Sequence, residues 1–150
     1  MPGASIYRLY SGGGYLMHAY CKTKSGFHIA CDPFTRIQKA DAVTDEVVNA
    51  IKASLNTDDS IRLPDPQDWS EFDRIFLQKC GLKTARPLKK LGTFLVEATK
   101  KEDILVFQPT KRAEDANYIP KDMAEAEKVP FTASNEQIIK ALDLAFSKCE

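Results

Sequence analysis

At 150 residues the chain matches one ordinary domain and is long enough to remove roughly two-thirds of its unfolded surface from water. Apolar residues make up 43% and charged residues 28%, which excludes the disordered, collagen-like and disulfide-scaffold classes. Twenty-one basic against twenty-one acidic side chains leave no net charge, which argues against a whole-surface preference for nucleic acid or an anionic membrane.

No stretch reaches the roughly 18 uninterrupted apolar residues needed to cross a bilayer, and the first thirty residues lack the basic-then-apolar order of a secretory signal. Cys21, Cys31, Cys80 and Cys149 are widely spaced in a chain that needs no staples. They read as buried free thiols in a reducing compartment, with the cytoplasm as the expected address, although an even count permits two disulfides.

In chain order, Gly12 to Gly14 form a loop. A phosphate cradle is disfavoured there, because no lysine–serine or lysine–threonine pair follows and a strand stands where a helix is required. Tyr15 to Cys21 and Phe27 to Cys31 predict an antiparallel hairpin about KTKSG. Pairing centred on Lys24 sets Cys21 against Phe27, Ala19 against Ile29 and Met17 against Cys31, one wholly apolar face. His18, Tyr20, His28 and Ala30 then form a second face that can meet water or a partner.

Val47, Val48, Ile51 and Leu55 recur at helical spacing after a Thr44 cap, so 44–55 predicts a helix. Residues 56–66 are polar, hold Pro64 and Pro66, and predict a loop with an extended exit. Asp68 with Glu71 three residues on marks the next helix start. Trp69, Phe72, Ile75, Phe76 and Cys80 predict its buried stripe, and Gly81 its end. Thr93 to Thr99 and Ile104 to Gln108 predict a second hairpin, Ala98 facing Leu105 and Val96 facing Phe107, with Pro109 ending it.

Residues 110–133 carry little pattern. Ser134 and Gln137 then form a capping box for a closing helix lined by Ile138, Ile139, Leu142, Ala145, Phe146 and Cys149. The whole predicts a single α+β domain over 1–150, helices packed on a mainly antiparallel sheet.

The zero charge conceals blocks. Residues 41–73 hold nine acids and two bases, whereas 74–101 hold eight bases and one acid. On one compact body such blocks give local fields of opposite sign that steer a charged partner; they also suit helix dipoles. Lys83, Arg86, Lys89 and Lys90 lack interleaved aromatics and read as a solvated face rather than a nucleic-acid groove.

His18, Cys21, His28 and Cys31 show the spacing of a zinc site twice over, but residues three apart on a strand point to opposite sides, so no metal is expected. His18, Tyr20 and His28 on one face supply an acid–base set for a small RNA-processing or other hydrolytic enzyme. No phosphate-binding partner stands beside them, which makes that the second reading.

Trp69-x2-Phe72, Leu77, Cys80-Gly81, Leu88-Lys89-Lys90, the strand Phe94 to Ala98, Ile104-x4-Pro109 and Ala141-Leu142 carry a resemblance. In order and spacing they resemble the CdiI-type immunity proteins of bacterial contact-dependent growth inhibition systems, over about residues 66–149. The resemblance implies a cytoplasmic, non-enzymatic protein without cofactor. Its partner would be the cognate C-terminal toxin domain of a CdiA-type adhesin, a nuclease by expectation, with no direct contact to nucleic acid or membrane. Nuclease toxins present cationic clefts, so Asp41, Asp45, Asp58, Asp59, Asp65 and Asp73 are the candidate contact residues. Asp58, Asp59 and Asp65 are favoured among them because they lie in a loop and are not needed as caps.

Overall fold

The computed structural model describes residues 2–38, 44–115 and 117–150. In chain order its elements are β1 (Gly3–Arg8), β2 (Tyr15–Thr23), β3 (His28–Ile37), α1 (Thr44–Ser54), β4 (Arg62–Leu63), α2 (Trp69–Cys80) and α3 (Arg86–Lys89). Then follow β5 (Phe94–Lys101), β6 (Ile104–Arg112), β7 (Tyr118–Pro120), β8 (Glu127–Pro130) and α4 (Asn135–Ser147). The strands form one eight-stranded sheet along the path β3-β2-β1-β5-β6-β7, with β8 also on β6 and β4 on β2. Every pairing is antiparallel except β4 with β2, so the α+β expectation holds.

The central strand is β1, which the hydrophobic pattern did not reveal. Ile6 lies opposite Met17 of β2 and Val96 of β5. Ala4, Ser5 and Ile6 are all buried, so the two-sided alternation that marks a half-exposed strand is absent.

Successive strand residues point to opposite faces, and both faces are covered. On one, Val47, Val48 and Ile51 of α1 and Ile138, Leu142 and Phe146 of α4 close over Ile6, Met17, Val96 and Phe107. On the other, Leu9, Leu16, Cys80 and Leu88 form a smaller core joined by Tyr7, Phe34 and Phe76. The second face of the first hairpin is covered only in part: α2 packs over His18, whereas Tyr20 and exposed His28 border an open cleft.

Both predicted hairpins exist, each displaced by two residues. Cys21 pairs with Ile29 and Ala19 with Cys31; in the second, Ala98 pairs with Phe107 and Val96 with Pro109. A two-residue slip keeps every side chain on its expected face, whereas a one-residue slip would have reversed them. In the second hairpin the turn is only Glu102 and Asp103, with Glu102 at φ 55°. Pro109 does not end β6, which continues to Arg112.

The cysteine expectation is overturned for one pair. Cys21 and Cys31 are disulfide-bonded, with Cα atoms 5.9 Å apart, because the two-residue slip sets them diagonally across one face. Cys80 is a buried free thiol pushed up to about 11 by burial, and Cys149 is a half-buried one. The bond also takes both sulfurs out of any His/Cys ligand set.

The helix caps fall where expected. Asp68 accepts from the N–H groups of Ser70 and Glu71, Gly81 closes α2 at φ 71°, and Ser134 with Gln137 forms the capping box of α4. Glu71 pairs with Arg74 in addition. The buried stripe of α2 is shorter than predicted: Trp69 is 48% exposed and Ile75 39%, and only Cys80 is buried. The helix packs on β3 at the sheet's edge, so its first turns overhang. Trp69 instead meets Phe27 and Phe72 edge-on, at 6.1 and 5.6 Å between ring centroids.

Candidate functional site

Two features meet at one end of the sheet. The first is the acidic loop after α1. Asp58 accepts from the N–H and hydroxyl of Ser60, which holds its carboxyl below the usual range. Asp65 accepts from the N–H and hydroxyl of Ser25, and those bonds lower its carboxyl likewise. Because Lys24 N–H also donates to the Leu63 carbonyl, at 2.9 Å, the loop is strapped to the β2–β3 turn. The loop carboxylates thus hold local structure as well as negative charge.

The candidate contact residues do not form one patch. Asp58, Asp59 and Asp65 belong to the strapped loop, and exposed Asp73 lies on α2. Asp45 begins α1 on the opposite side of the sheet, where Asn135 donates to it at 2.6 Å. Asp41 lies outside the described residues.

The second feature is a cleft of about 660 Å³. It opens where β1 starts at Gly3 while its neighbours run further, β2 to Thr23 and β5 to Lys101. Half-buried Tyr20, Glu97 and Thr99 line it from the strands, and exposed Lys22, His28, Asp59 and Arg62 line its mouth. Asp59 therefore joins the acidic loop to the cleft.

Within the cleft, Ser5 Oγ lies 2.6 Å from the Tyr20 hydroxyl and 3.1 Å from both carboxylate oxygens of Glu97. Burial pushes the Glu97 carboxyl up to about 7 against the lowering effect of these hydroxyls. The same burial raises the Tyr20 phenol. Nothing in the hydrophobic pattern marked Glu97; the only signal was a lone acid inside an otherwise apolar strand.

The sign of the Glu97 linkage follows from its raised value. An unfolded glutamate ionises near 4.3, so the folded chain holds an extra proton between there and about 7, and stability falls across that window as pH rises. Glu97→Gln keeps the shape and removes the titration. Urea unfolding should show the variant about 1–3 kcal/mol more stable than the parent at pH 8, the gap closing toward pH 4. An equal difference at both pH values would contradict this account.

His18 and His28 do not converge. His18 is buried beneath α2, its ring packed against Tyr20, Phe34 and Phe76 at 5.1–5.6 Å, its Nδ1 3.0 Å from the Ala19 carbonyl. Burial lowers its pKa and keeps it neutral. Exposed His28 faces Lys22, four residues along β2 from His18, about 13 Å at strand rise. The acid–base pair of the hydrolase reading is therefore not assembled. Among the described residues no helix is long and apolar enough to cross a membrane.

Solved structures from two bacteria are similar in overall shape. One is a protein of unknown function from Neisseria meningitidis, 15% identical, with TM-score 0.74 over 100% of this chain and 96% of that one. Another belongs to the CdiA-CT/CdiI toxin and immunity complex from Yersinia pseudotuberculosis, 17% identical, with TM-score 0.69 over 99% and 97%. The shared property is the fold. No family model matches the sequence, and no curated protein does.

Proposed function

We propose that this chain is an immunity protein, which binds the cognate C-terminal toxin domain of a CdiA-type protein one to one and covers its working surface. The observation that carries the reading is the end-to-end likeness in fold to a chain of a toxin and immunity complex. The acidic loop at the mouth of the cleft supports it. A nuclease toxin binds phosphate with cationic groups, and fixed carboxylates on a strapped loop complement such a surface. The task needs a stable scaffold with a shaped, charged face of roughly 800 Å² and no bond-making machinery. Cytoplasmic action now follows from the role alone, since the argument from four free thiols fell with the Cys21–Cys31 bond.

The test is to search beside the gene of this chain for a CdiA-type protein and to co-express its terminal domain with this chain. A one-to-one complex that protects cells from that domain is the expected result. Absence of both complex and protection, or a genome with no toxin-bearing neighbour, would overturn the proposal.

A further inference from the structure

We infer that the cleft between β2 and β5 receives a cationic side chain, lysine or arginine, from the partner, with Glu97 as its acceptor. The inference rests on the immunity reading for the identity of the partner, and on the cleft itself for the chemistry.

Glu97 is underused as an acceptor. A carboxylate has about four acceptor sites. Ser5 and Tyr20 between them carry two hydroxyl protons, and their 2.6 Å contact occupies one, so one remains for Glu97. The Tyr20 hydroxyl is 3.5 Å from Oε1, too long to add a strong second bond. Among the described residues Glu97 takes part in no ion pair. Arg62, also on the cleft, points its guanidinium at the carbonyls of Asp59 and Ile61 in its own loop.

The floor thus holds a half-buried carboxyl without a counter-charge, in a space of the size that takes a ligand group. Burial alone keeps its proton near neutrality, and a cation entering the cleft would release that proton and recover the lost ionisation. Tyr20 lines the same space, and Asp59 stands at its mouth. The cations lining the cleft on the other side of the balance are Lys22 and Arg62, with the His28 imidazole beside them. They set the competing outcome, capture of an anion.

Agmatine, which presents a guanidinium and an ammonium on a short chain, is the direct probe for the intact protein. Its titration should produce saturable NMR shifts at the Gly3, Tyr20 and Thr99 amides and move the Glu97 carboxyl midpoint downward by about one unit. Glu97→Gln, folded as judged by its remaining resonances, should weaken agmatine at least about tenfold. No saturable shift, shifts that persist in the variant, or inorganic phosphate moving these resonances where agmatine does not would each overturn the inference.

The toxin domain separates this failure from the broader one. A complex that forms equally well with Glu97→Gln would sink the cleft assignment and leave the immunity reading standing. Agmatine binding without any toxin complex would do the reverse.

Discussion

A chain carrying lysine at both Asp58 and Asp59 should associate with its toxin domain at least about tenfold more slowly at low ionic strength, the sheet remaining folded by circular dichroism. Both residues are exposed in the loop ahead of β4. Asp58 bonds within its own turn, to Ser60, and those bonds keep it ionised through the neutral range. Reversal changes the field that a cationic partner meets while leaving the sheet and both cores untouched. The deficit should shrink as salt is added, because screening removes long-range steering first.

Asp65 belongs in a separate experiment. Its carboxylate also straps the loop to Ser25, so Asp65→Asn would mix lost charge with a loosened loop. Stopped-flow association across a salt series is the measurement. Equal rates for parent and double variant would move the contact surface elsewhere, the exposed Lys83, Arg86, Lys89 and Lys90 face being next to try.

Gly14→Ala should cost at least about 3 kcal/mol and lower the melting temperature by about 10 °C. Gly14 is buried at φ +83°, and a Cβ placed there would lie 1.8 Å from the Ile37 carbonyl oxygen and 2.7 Å from the Gln38 carbonyl carbon. Both atoms are backbone, so the end of β3 must move, and with it the Tyr15–Ile37 pairing that closes the sheet beside α1. Gly12 is the control. It has φ +68° but open space around its Cβ position, so Gly12→Ala should cost only the left-handed strain, about 1 kcal/mol. Urea or thermal unfolding of the two variants separates overlap from strain, and equal losses would refute the close-approach account.

Much of this architecture was legible because its signals are local. Caps such as Asp68, Gly81, Ser134 and Gln137 act within a few residues, so their types mark helix ends directly. Strand faces were legible too: period two survives a register slip of two, which is why Met17, Ala19, Val96 and Ala98 are all buried despite misplaced partners. Turn geometry fixed the register itself, and alternation does not encode it.

The illegible parts depend on distant neighbours. Trp69 and Phe72 have the spacing of core residues, and only the overhang of α2 beyond β3 leaves Trp69 half in water. The Cys21–Cys31 bond required the true register. Glu97 acquires its character from burial in a cleft floor shared with Ser5 and Tyr20, 92 and 77 residues away. The acidic residues were visible by composition, whereas their division between a strapped loop and the far side of the sheet was not.

The position of β1 bears on how the molecule comes to exist in a cell. Its two hydrogen-bonding edges are satisfied at very different times during synthesis: β2 follows within a few residues, but β5 begins at Phe94. Until that stretch has left the ribosome, the nascent hairpin carries an open apolar edge, a site where another chain could pair in its place. Delayed closure makes translation speed through the intervening helices a determinant of yield, and chaperone supply would matter most for the early hairpin.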